Sequence, residues 1–210
     1  MPSTPYTAFT STYVTLAIDN IDTDQIIPAR FLKTTERSGL GKQAFNDWRY
    51  DASGTPRPDF PLNSPFAANA QVLVAGDNFG CGSSREHAVW ALLGAGFRAV
   101  VSTSFADIFR GNALGNGLLP IQVDAGVIAA LNQANAADGA RPQISVDLER
   151  ETIGLPNGQA IGFKVPAFAR YCLLHGVDEM DVLLEASDDV VRYEESSATF
   201  VSTRPAEVIA

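Results

Sequence analysis

The chain has 210 residues, 46% of them hydrophobic and 19% charged, enough apolar material to bury a sizeable core. A formal net charge of −9 with no basic stripe argues against a nucleic-acid or anionic-membrane surface. Two cysteines, Cys81 and Cys172, exclude a disulfide framework, and no apolar run is long enough for a bilayer; without a basic-then-apolar leader, a soluble cytoplasmic protein is expected.

In chain order, "TYVTLAI" alternates polar and apolar residues and reads as a strand. "DNIDTDQIIPARFLK" follows, where three aspartates precede a short apolar patch; a turn and an extended segment are expected there rather than a helix. Residues 34–70 are rich in Gly, Pro, Asn and Ser, with one helical turn expected around "KQAFNDWRY". "QVLVA" is a buried strand, "SSREHAVWALLGAG" a helix, "RAVVST" a strand, and "FADIFRGNAL" a second helix with Ser104 as its expected cap. "GLLPIQV" and "AGVIAALNQANAA" complete a β–α–β–α–β–α rhythm from 71 to 137, the pattern of sheet strands joined by covering helices. "QISVDLE" is a strand, and "ETIGLPNGQAIGFKV" a hairpin turning at Asn157–Gly158. Two helices, "PAFARYCLLHG" and "DEMDVLLEA", lead to a C-terminal tail of about twenty residues expected to be loosely held.

The densest chemistry lies in "GDNFGCGSSREHA", residues 76–88, where a strand hands over to a helix. Unpaired backbone N–H groups and the helix dipole at such a junction favour an anion. Glycine permits close backbone approach, Ser83 and Ser84 offer hydroxyls, and Arg85 offers a fork suited to a carboxylate or phosphate. The glycines at 76, 80 and 82 have the wrong spacing for a dinucleotide fingerprint, and no Gly-Lys-Ser/Thr follows for a phosphate loop. A carboxylate suits the site better than a pyrophosphate. Locally, helix capping by Ser83 or Ser84 competes evenly with anion binding. Cys81, His87 and His175 are most simply packing residues, and cysteines and histidines so scattered predict no zinc site.

Three segments together carry a resemblance. "GDNFGCGSSREHAVWAL" resembles the signature of the swivelling domain of the aconitase superfamily. "NIDTDQIIPARFLK" and "SFADIFRGNALGNGLLP" are similar to further stretches of its 3-isopropylmalate dehydratase small-subunit family, and the likeness spans roughly residues 10 to 195. The resemblance implies an α/β fold: a layered β/β/α swivelling domain with a partly open β-barrel, and residues 1–210 as a single domain. It implies a hydro-lyase of leucine biosynthesis, isomerising 2-isopropylmalate to 3-isopropylmalate through 2-isopropylmaleate. It also implies a [4Fe–4S] cluster on a partner large subunit. Two distant cysteines agree with that division, because a cluster needs several thiolates.

Carried over by resemblance, Ser83 is the base, and Arg85 binds a substrate carboxylate with Ser84 and Gly82 beside it. Asp24 orients groups of the site, with turn chemistry the competing role for Asp22 and Asp24. Phe31, Leu32 and Lys33 begin a loop facing the variable side chain of the substrate, where the apolar Phe-Leu pair suits an isopropyl group, with Arg30 a candidate second carboxylate ligand. The competing readings are a related hydro-lyase acting on citraconate/methylmalate or homoaconitate, and a non-catalytic carboxylate-binding module.

Overall fold

Fifteen regular α and β elements build the chain in the computed structural model, which describes residues 4–33, 36–136 and 141–196. In chain order they are β1 (Phe9–Leu16), α1 (Thr23–Ile26), α2 (Asn46–Arg49), β2 (Val72–Ala75), α3 (Glu86–Gly94), β3 (Ala99–Ser102), α4 (Asp107–Asn116) and β4 (Leu119–Gln122). Then follow α5 (Ala125–Ala136), β5 (Gln143–Asp147), β6 (Thr152–Gly154), β7 (Ala160–Gly162), α6 (Ala167–His175), α7 (Glu179–Glu185) and α8 (Ser187–Ser196).

The strands form one curled sheet in the order β4-β3-β2-β1-β5-β6-β7, a half-barrel. The β4 to β1 half is parallel; β5, β6 and β7 add antiparallel, with Phe9 opposite Val146 and Tyr13 opposite Val72 marking the two registers of β1. Every residue of β2 and β3 is buried, as expected of parallel strands covered on both faces. Alternate side chains serve different layers, since strand side chains have a period of two. Leu73, Ala75 and Val100 join α3 and α4 in one core; Val72, Val74, Ala99 and Val101 join α5 and α6 in the other.

The β–α rhythm from 71 to 136 and the hairpin are observed as expected, with Gly158 at φ 84° in the turn. Three local expectations are corrected. The 22–26 stretch is a helical turn rather than extended: Asp22 caps α1, its Oδ1 accepting from Gln25 N–H while Gln25 Oε1 accepts from Asp22 N–H. Ser104 does not cap α4, whose N-cap is Ala106 without a side-chain bond. A third C-terminal helix, α8, occupies part of the stretch expected to be loose, and the rest of that tail lies outside the described residues. Among the described residues no helix is long and apolar enough to cross a membrane.

The parallel half positions the site. The loops after β1, β2 and β3 all emerge at the same, C-terminal edge of the parallel strands, where open α/β sheets bind ligands. Phe79 pins the middle loop from below. Fully buried, it packs edge-on against Phe105 and Phe109 at 6.3 and 5.2 Å between ring centroids. Such burial contributes roughly 1.5–3 kcal/mol, which holds the flanking glycine-rich backbone in place.

Candidate active site

Backbone hydrogen bonds lace the loop after β2 to its neighbours on both sides. Gly80 N–H donates to Ile21 O (2.8 Å) and Thr23 N–H to Cys81 O (2.9 Å), a short extension of sheet pairing between the loops. On the other flank Phe79 N–H donates to Ser104 O (3.0 Å) and Ala106 N–H to Phe79 O (3.1 Å). Thr23 Oγ1 closes the lacing by donating to Ser83 O at 2.9 Å. Position 83 is thus held through its backbone, leaving its side chain to do something else.

Gly80 is required here. It has φ +75°, and a Cβ would come within 2.2 Å of Phe109 Cγ. Gly80→Ala is expected to destabilise the fold by about 2 kcal/mol, combining left-handed strain with overpacking. A denaturant midpoint unchanged from wild type would contradict this.

Asp77 clamps the root of the loop. Its Oδ1 accepts from Ser104 Oγ (2.6 Å) and Thr103 Oγ1 (2.7 Å), and its own N–H donates to Asp19 Oδ1 (2.7 Å). These bonds, Ser104 first and Thr103 next, hold its carboxyl below the usual Asp range. Ser104 is drawn away from a capping role because it serves this clamp and also accepts from Asn78 N–H. A lowered folded pKa contributes stability that is present above the unfolded value, about pH 4, and lost as pH falls through the folded one. Thermal unfolding followed from neutral to acid pH should therefore show a shallower acid decline in Asp77→Asn than in wild type. Parallel declines would refute the clamp.

Ser83, Ser84, Gly82 and Arg85 line one cleft of about 250 Å³, together with Thr23 and Ile108. Ser83 and Ser84 are exposed, and neither caps α3: the N-cap is Arg85, whose side chain makes no capping bond. Neither serine therefore takes the capping role. The first N–H groups of α3 keep their positive partial charge beside the two hydroxyls.

Arg85 is largely covered, 15% exposed, and its Nη1 donates to Asp24, which is 53% exposed. A pair whose carboxylate is this open to solvent contributes about 1 kcal/mol. Its effect is orientation, because one arm held by Asp24 aims the rest of a planar five-donor fork. Asp22, by contrast, caps α1.

The other expected residues are placed elsewhere. Arg30 pairs with Asp47, donates to Asn46 Oδ1 at 2.6 Å, and lies over the Phe31 ring at 4.6 Å. It lines a separate hollow of about 630 Å³ with Lys42 and Arg57. Phe31 packs partly buried against the core and Lys33 is exposed; none of the three lines the Ser83 cleft. Cys81 Sγ donates to Asn20 O, and burial followed by the Asp22 charge pushes its thiol up, opposite to what a nucleophile needs. His87 packs at a tilt beside Trp90, 4.6 Å between ring centroids, and does not line the cleft. Thr23 and Ile108 were missed by sequence reasoning. Thr23 had a readable signal, the D-x-x-Q box around it; Ile108, 56% exposed, had none.

Neither cysteine belongs to a cluster of three or more metal-capable side chains among the described residues. The described donors therefore do not fit an iron–sulfur cluster. The cleft is smaller than the roughly 300–1,000 Å³ of pockets that enclose a ligand.

Residues 3–126 match the family described as the aconitase C-terminal domain. The 3-isopropylmalate dehydratase small subunit of Chloroflexus aurantiacus is 52% identical over 200 residues, 95% of this chain and 99% of the relative. The protein of that name from Anaeromyxobacter sp. is 56% identical over 190 residues, covering 90% and 97%. The crystal structure of 3-isopropylmalate dehydratase from Methanocaldococcus jannaschii superposes with a TM-score of 0.61 at 28% identity, covering 90% of this chain and 99% of that one.

Proposed function

This chain belongs to the 3-isopropylmalate dehydratase small-subunit family, and from that membership we propose how its residues take part in isomerising 2-isopropylmalate to 3-isopropylmalate. The whole chain acts as one swivelling domain that brings its cleft to a large subunit, the partner the small-subunit name implies. The observation that carries the reading is the cleft itself: an exposed, uncapped serine beside an arginine fork that Asp24 holds, at an uncapped helix start.

In the dehydration half-reaction Ser83 Oγ, as the alkoxide, takes the proton from the carbon next to the one bearing the hydroxyl. The electron pair forms the carbon–carbon double bond as the carbon–oxygen bond breaks, and the oxygen leaves as hydroxide, which takes a proton from solvent to become water. Rehydration reverses these transfers with the oxygen returning to the neighbouring carbon. A serine hydroxyl is a far weaker acid than any ordinary catalytic group, so its charged form needs nearby positive charge; the α3 N-terminus and Arg85 supply it. Arg85 grips a substrate carboxylate, and Ser84 adds a hydroxyl donor beside it. The iron–sulfur cluster is assigned to the large subunit, and no step of this chain's own chemistry passes through one.

The test is co-purification with a candidate large subunit under anaerobic conditions, followed by the absorbance of isopropylmaleate. Turnover of isopropylmalate by the pair, and by neither chain alone, is expected. Preference for citraconate or homoaconitate would reassign the substrate. Tight dicarboxylate binding by the isolated chain, with no turnover on pairing, would make it a binding module.

A further inference from the structure

Glu86 follows Arg85 directly and stands exposed on the first turn of α3. A carboxylate one residue from an arginine fork is a built-in rival for any acid that the fork is meant to hold. Yet Glu86 does not line the Ser83 cleft. It lines the neighbouring groove of about 710 Å³, among Asn112 and Asn116 of α4 and Phe168 of α6.

Asn116, the last residue of α4, holds it there: Asn116 Nδ2 donates to Glu86 Oε1 at 2.8 Å. The same Nδ2 donates to Asn112 O at 2.9 Å, while Asn116 Oδ1 accepts from Trp90 Nε1 at 2.9 Å. Turning the amide over would set its oxygen against two acceptors and its nitrogen against the indole N–H, so only one orientation satisfies all three bonds. Trp90 is itself fixed, under the Arg37 guanidinium at 4.8 Å and beside His87. The amide thus presents a donor to Glu86 from a rigid mount.

We propose that Asn116 is a positioning residue that keeps the Glu86 carboxylate out of the anion site, leaving Arg85 open to the substrate carboxylate. The inference rests on the carboxylate-site reading above. It places a determinant of substrate affinity at the junction of α3 and α4, outside the cleft.

The experiment compares Glu86→Asp, Glu86→Gln, Asn116→Asp and the double variant N116D/E86Q in the assembled pair with its large subunit. Glu86 is exposed, so both of its substitutions are compatible with folding. Glu86→Asp keeps the charge but is one methylene too short for Asn116. Asn116→Asp keeps the acceptor for Trp90 but turns a carboxylate toward Glu86. Each is expected to raise KM about fivefold at unchanged kcat, the scale of an exposed ion pair competing for Arg85. Glu86→Gln should keep the wild-type KM and restore it in N116D/E86Q, while Glu86→Asp and Glu86→Gln melt alike, so that the KM difference follows the carboxylate and not the packing. Equal KM in Glu86→Asp and Glu86→Gln, or a raised KM that persists in the double variant, overturns the inference alone. A wild-type pair without turnover overturns the carboxylate-site reading and the inference with it.

Discussion

Ser83→Ala is expected to leave assembly with the large subunit intact and to lower kcat by about 10³-fold, within the range for loss of a positioned acid–base group. The side chain is exposed and caps no helix, and the backbone carbonyl at 83, which Thr23 bonds, is unaffected by the substitution. Stability should therefore change by no more than about 0.5 kcal/mol, as for an ordinary surface site. The pairing of a large kinetic effect with an unmoved melting temperature is what separates a base from a structural serine. A kcat near wild type in a properly assembled pair would reject the assignment.

Arg85→Lys should cost about 10²-fold in kcat/KM, a little under 3 kcal/mol of transition-state binding. The loss follows from shape rather than charge. Guanidinium can give one arm to Asp24 and present the others, coplanar, to a carboxylate, whereas an ammonium is a single point that must choose between the two anions. Retention of the positive charge should keep the fold and the partner interface unchanged. Most of the effect should fall on KM, since the carboxylate is gripped in ground and transition states alike. An unchanged kcat/KM would show that the substrate carboxylate binds elsewhere.

Much of the frame was legible because it rests on local periodicity. Alternation along "TYVTLAI", unbroken apolar runs in "QVLVA" and "RAVVST", and the Asn157–Gly158 turn each reflect interactions within a few residues. The helix at 86–94 was readable for the same reason, with Ala88, Ala91 and Leu92 buried on one side. The misjudged places involve competition for a single side chain. Ser104 has the chemistry of a cap, but Asp77 and the Asn78 N–H claim its hydroxyl first. At 22–26 the aspartates look like turn formers, and only the reciprocal Asp22–Gln25 bonds convert the turn into helix.

From the sequence alone came the strand–glycine turn–helix device, the hydroxyls and arginine at its mouth, and a count of two cysteines. Those follow from residue types and short spacings, which are written directly in the chain. Tertiary structure decided which groups meet: Asp24 with Arg85, Thr23 with Ser83, and Asn116 with Glu86, at separations of 61, 60 and 30 residues. Such pairs depend on the β4-β3-β2-β1 strand order, which brings the ends of three loops to one edge of the sheet. No local preference specifies that order; it is set by burial of both sheet faces at once.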